Sequence, residues 1–113
     1  MPFSLSSSNY PVLLILTSLS SGPKHGYALT KDIEDFAGVH LGPGTVYGAI
    51  SRLERRGLIE PMEAQDRRRP YRITATGMDA LATALAGLRR VLDEGSARLV
   101  RRADPRAIEG SAS

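Results

Sequence analysis

Residues 43–73 read PGTVYGAISRLERRGLIEPMEAQDRRRPYRI, and this stretch decides the fold. In its first half Val46, Ala49, Ile50 and Leu53 recur at i, i+3, i+4 and i+7. That is one apolar face of a helix. The spacing predicts a helix from about Thr45 to Arg56, with Thr45 capping its start and Gly57 closing its end. The other face carries Thr45, Tyr47, Gly48, Ser51, Arg52 and Arg55. A helix used only for packing more often shows Glu and Lys there. Small residues, hydroxyls and arginines suit close approach to phosphates and base edges. In the second half, 58–63 and 70–73 read as two short strands around a polar 64–69. This is a β-hairpin with Arg67, Arg68 and Arg69 at its tip. Pro61 and Pro70 confine the strands to edges or ends. Three adjacent arginines repel one another unless an anion lies nearby, and such a tip fits a nucleic-acid backbone or minor groove.

Upstream, Pro11 suits the first turn of a helix in which Val12, Ile15, Leu16 and Leu19 form a stripe. Leu13 and Leu14 widen that stripe, so the helix is expected to be buried on most sides, and Gly22-Pro23 ends it. A second helix is expected from about His25, with Leu29, Ile33, Phe36 and Ala37 inward and Gly38 as its left-handed cap. Residues 39–44 form a connector, broken by Gly42-Pro43-Gly44, with Leu41 as its buried anchor. Downstream, a last helix begins near Thr74 or Thr76. Its Leu81, Leu85, Leu88, Leu92 and Leu99 are spaced as a heptad seam with Gly95 at the missing position. One small domain cannot cover such a seam, so a homodimer is expected, with Val12 and Leu16 adding to its interface. The fold class is mainly α with a small β-hairpin. Three segments are expected: a DNA-binding unit over 1–75, a dimerisation helix over 76–102, and a small, polar tail over 103–113.

The whole chain has 113 residues and a net charge of +3. The charge is unevenly placed. Residues 52–72 hold seven arginines against four acids, while the flanking segments carry −1 and +1. The cationic excess therefore sits on the third helix and the hairpin, which points to a polyanion. There is no cysteine, which excludes disulfides and cysteine-ligated zinc. His25 and His40 share no ligand spacing, and no metal or cofactor is expected. Asp32, Glu34 and Asp35 read as a solvated helix face, with no nucleophile or phosphate loop beside them, so no enzymatic activity is expected. The apolar run from Val12 to Leu16 is too short to span a bilayer, and residues 1–11 lack the basic start of a secretory signal. The expected location is the cytoplasm.

Three helices, an arginine-tipped hairpin and a long helix follow the order of a winged helix-turn-helix. The chain resembles the PadR family of bacterial transcriptional regulators. The resemblance is carried by Gly22-Pro23-Lys24-His25-Gly26-Tyr27, by Gly42-Pro43-Gly44-Thr45-Val46-Tyr47, by Leu53-Glu54-Arg55-Arg56-Gly57-Leu58-Ile59, and by Tyr71-Arg72-Ile73-Thr74-Ala75-Thr76-Gly77. It covers roughly residues 12–82. It implies a dimeric winged-helix DNA-binding protein, usually a repressor, of the short subgroup with a single C-terminal helix. The recognition helix then corresponds to Thr45–Arg56, and the wing to Arg67, Arg68, Arg69 and their flanking strands. Two departures stand out. Gly42 occupies a place where the family often has serine, so that cap is missing. The chain has no tryptophan, which argues against the aromatic-drug site of some short members.

The resulting DNA-contact candidates are Gly44, Thr45, Tyr47, Ser51, Arg52, Arg55, Arg67, Arg68 and Arg69. Arg52 suits either a guanine edge or a phosphate, and Tyr47 either a phosphate or packing under the wing. The expected partner is double-stranded DNA carrying an inverted-repeat operator, with room for an unidentified small-molecule effector. A winged-helix protein-interaction module, or a sensor without DNA binding, is the competing expectation.

Overall fold

The computed structural model describes residues 9–104. Helix α1 runs Asn9–Leu19, α2 Gly26–Ala37 and α3 Pro43–Arg55. Strands β1 (Ile59–Pro61) and β2 (Tyr71–Ile73) follow, and α4 spans Ala75–Ala103. The chain divides into two compact units, one through Leu81 and the other from Ala82. The winged helix-turn-helix lies in the first. Among the described residues no helix is long and apolar enough to cross a membrane. The expected tail falls at residues 103–113, of which 105–113 lie outside the described residues.

The core of the first unit grows from the predicted stripes. Leu14, Ile15, Leu16 and Leu19 of α1 meet Leu29 and Ile33 of α2 and Val46, Ala49, Ile50 and Leu53 of α3, all buried. Leu41, Ile59 and Leu81 close it. Each of these leucine, isoleucine and valine side chains contributes about 1.5–3 kcal/mol by leaving water. Phe36, on the α2 face one turn past Ile33, is 46% exposed, because the core ends before the last turn of that helix. The one buried polar residue among the described residues is Ser18. Its hydroxyl donates to Asp32 at 2.6 Å, and Lys24 lies 4.0 Å from the same carboxylate, tying α1, α2 and the loop between them together.

Helix ends follow local chemistry. His25 caps α2 by accepting from the Ala28 N–H, and Gly38 ends it at φ 67. Helix α3 starts two residues earlier than the spacing predicted. Pro43 does not break the helix but opens it, because a first-turn proline lacks only an N–H that has no intrahelical acceptor. Thr45 is therefore inside the first turn, and the N-cap is Gly42, with no side-chain cap. At the other end Gly57 has φ 72, and the Leu58 N–H donates to the Leu53 carbonyl at 3.0 Å. This left-handed closure turns the chain into β1.

The strands pair antiparallel with Ile59 opposite Ile73, Glu60 opposite Arg72 and Pro61 opposite Tyr71. Glu60 and Arg72 form an ion pair across this register. Lys24 adds a bridge to Tyr71, so the loop before α2 anchors the hairpin, a contact that the strand pattern alone did not announce. Thr74 then caps α4. Its hydroxyl accepts from the Gly77 N–H at 3.0 Å and donates to the Gly57 carbonyl at 2.7 Å. In the second unit, Leu85, Leu88, Val91, Leu92, Leu99 and Val100 are all exposed. Glu94 accepts from Arg98 at 2.7 Å, and this hydrogen bond holds its carboxyl below the usual carboxylate range.

Candidate nucleic-acid interface

Burial of Val46, Ala49, Ile50 and Leu53 fixes which side of α3 faces out. Gly44, Thr45, Tyr47, Ser51 and Arg55 are exposed on it, and Arg52 is half-buried. A Cβ added at Gly44 or Gly48 would meet nothing within 4 Å. No contact inside the domain therefore requires glycine at either place. The first turn has no acidic residue and no side-chain cap, and Arg52 and Arg55 lie in the last turn. The N-terminal N–H groups are thus left open to an external acceptor.

The hairpin tip is tighter than the sequence pattern conveyed. Gln65 pairs with Arg68 by backbone hydrogen bonds of 2.7 and 2.8 Å, leaving a two-residue turn of Asp66 and Arg67. Both have positive φ, 49 and 65. Positive φ at both central residues belongs to a type I′ turn, whose twist matches the flanking strands and which normally takes Asn-Gly. Arg69 donates to the Met62 carbonyl at 2.9 Å, bracing the hairpin from the side. Among the described residues Arg55, Arg67 and Arg68 form no ion pair.

Helix α3 and the wing meet at Tyr47. A cleft of about 240 Å³ is walled by Tyr47, by the arginine turn and by Tyr71. His25 and Tyr27, from the start of α2, complete it. Thr45, Ser51, Arg52 and Arg55 lie on α3 outside this cleft. Tyr71 is half-buried, and its phenol is pushed above its usual pKa by burial first and by the Glu54 charge second. A second cleft of about 420 Å³, also bordered by Tyr47, lies between α2 and α3, with Tyr27 and Lys31 in its wall. The sequence pattern gives His25 no ligand role and does not single out Tyr27 as a contact residue. The available signal was Gly26-Tyr27 at a helix start. Gly26 is buried, and a Cβ there would come within 2.4 Å of the Tyr47 hydroxyl oxygen. The glycine thus lets the α3 tyrosine lie across the beginning of α2.

Comparison with known proteins places the fold in a family. Residues 15–83 match the family model described as the transcriptional regulator PadR-like family. An uncharacterised 37.1 kDa protein in transposon TN4556 of Streptomyces fradiae is 45% identical over 69 residues, which cover 61% of this chain. The chain spans only about a fifth of that protein's length, 20%. Among solved structures, a PadR family transcription regulator from Clostridium difficile R20291 superimposes with a TM-score of 0.73 at 25% identity, covering 80% of this chain and 98% of that one. A transcriptional regulator from Clostridium thermocellum gives 0.66 at 27% identity, covering 76% and 89%. With its winged helix-turn-helix, its exposed third helix and its arginine-tipped wing, the chain belongs to the PadR-like family of transcriptional regulators.

Proposed function

We propose that the protein is a dimeric repressor that binds an inverted-repeat operator with α3 and the wing, and leaves it when a ligand or signal alters the spacing of the two α3 helices. The observation that carries the reading is the joining of the exposed α3 face to arginines without acidic partners at one cleft. Phosphate contacts from Arg67, Arg68 and Arg69 would set register, and Thr45, Ser51 and Arg52 would reach base edges. A two-fold dimer would place its recognition helices about 34–36 Å apart in successive major grooves. Selection of bound sequences from random duplexes by the purified protein tests this. An enriched inverted repeat is expected, and no enrichment at low salt would refute it.

The dimer rests on the second unit. Leu16 and Leu81 are buried within the first unit and Val12 is half-buried. The remaining seam candidates, Leu85, Leu88, Leu92 and Leu99, are 40–70% exposed on a single chain. A second copy of the same helix would cover them as a knobs-into-holes seam. Leu88→Asp, which would bury a charge in that seam, is expected to yield monomers. A dimer mass by light scattering would contradict the assignment.

Gly48 offers a further check. In the middle of an exposed helix face, Gly48→Ala should raise stability by roughly 1 kcal/mol, since nothing obstructs the added methyl. If the α3 backbone approaches DNA closely there, the same change should weaken operator binding severalfold. Thermal midpoint and anisotropy titration should therefore move in opposite functional directions. Unaltered affinity in the stabilised variant would mean that the α3 backbone does not approach DNA closely at Gly48.

A further inference from the structure

The cleft at Tyr47 is smaller than the roughly 300–1,000 Å³ of pockets that hold whole small molecules. Its 240 Å³ suits one polar group. Its lining is chemically one-sided: three tyrosines, a histidine and three arginines, with no Asp or Glu among the described lining residues, and of the arginines Arg69 also donates to the Met62 carbonyl. Guanidinium forks match the oxygens of a phosphate, and hydroxyls can add hydrogen bonds to the same oxygens. Tyr27 is 67% exposed, stacks on His25 at 6.5 Å with 16° between the rings, and its hydroxyl has no partner among the described residues. The His25 ring flanks the phenol, whose polar end stays available. Tyr47, 55% exposed, is steadied by its seat over Gly26.

The geometry points to this cleft as a seat for a single phosphate group, in which the Tyr27 and Tyr47 hydroxyls donate hydrogen bonds while the arginine turn neutralises the charge. The phosphate is a backbone phosphodiester of the bound duplex, an identification that rests on the DNA-binding reading above. A free phosphate compound presents the same chemistry. What separates the seat from a merely basic wing is Tyr27. Its hydroxyl carries no charge, so general electrostatic attraction gives it no role.

Tyr27→Phe removes one neutral hydroxyl from an exposed ring and should leave the thermal midpoint unchanged. It is expected to weaken binding to the selected operator about tenfold, as for loss of a hydrogen bond to a charged oxygen. In duplexes each carrying one methylphosphonate, that loss should vanish at one position per half-site. The loss caused by Arg68→Ala should shrink at the same position. A Tyr27→Phe effect that is absent, or that persists unchanged at every position, overturns the backbone seat. Inorganic pyrophosphate titrated into the free protein is the second arm. Binding abolished by both variants, without any methylphosphonate coupling, assigns the seat to a free phosphate compound instead. If the wild type binds no duplex, the DNA reading itself falls. The pyrophosphate arm then decides alone: variant-sensitive binding upholds a phosphate seat, and no binding overturns it.

Discussion

Replacing Gly77 with alanine is expected to destabilise the protein by about 2–4 kcal/mol. In an ordinary helix position the same exchange stabilises by up to about 1 kcal/mol. At Gly77 the added Cβ would stand 2.0 Å from the Leu58 carbonyl oxygen and 2.7 Å from Ile73 Cγ1. The first of these is backbone and cannot swing away. The Leu58 carbonyl also accepts from the Thr74 N–H at 3.0 Å, and the Thr74 hydroxyl holds the Gly57 carbonyl. Moving the start of α4 away from Leu58 and Ile73 would strain both hydrogen bonds, each worth about 1 kcal/mol. Overpacking adds about 1–3 kcal/mol. These costs together exceed the propensity gain. For a domain of this size a loss of that order lowers the midpoint by roughly 10–25 °C. Thermal melts by circular dichroism at one protein concentration measure it, with Gly48→Ala as the control moving the other way. An unchanged or raised midpoint for Gly77→Ala would contradict the close packing of the start of α4 on the Leu58 carbonyl and Ile73.

The fold was largely legible because period and punctuation agreed. Val46, Ala49, Ile50 and Leu53 could face inward only as a helix, and Gly38 and Gly57 stand where left-handed closure is needed. The element order needed no tertiary information. What the pattern missed depends on through-space contact. Pro43 reads as a breaker until the chain before it is seen to enter a helix, and then it is a first-turn residue. Lys24 belongs to the sheet only because its backbone reaches Tyr71, 47 positions away. The arginine tip was plain from composition, but its companions were not. His25 and Tyr27 join Tyr47 and the wing through the packing of α2 against α3, and neither periodicity nor charge encodes that meeting. The contact candidates on α3 were readable as a face, whereas the cleft that unites one of them with the wing required coordinates.

Neutralising the wing is expected to give the largest change in DNA binding. The variant should remove charge without opening the hairpin, and the turn geometry dictates its design. Arg67 lies at φ 65, where a non-glycine residue costs about 1–2 kcal/mol. Arg67→Gly therefore relieves strain as it removes a charge, whereas Arg67→Ala retains the strain. Combined with Arg68→Ala and Arg69→Ala, it should leave the hairpin formed, although the Arg69 brace to Met62 is lost. If each arginine neutralises one phosphate, the slope of log affinity against log salt should become shallower by about 2.7 per wing. Between 50 and 200 mM salt the wild type would then lose about 40-fold more affinity per wing than the variant. The loss should apply to operator and unrelated duplexes alike, because phosphate contacts position without reading sequence. Fluorescence anisotropy across a salt series measures this. A weakened variant with the wild-type slope would mean that the arginines act by shaping the wing, and a selective loss for the operator would move them from phosphates to base edges.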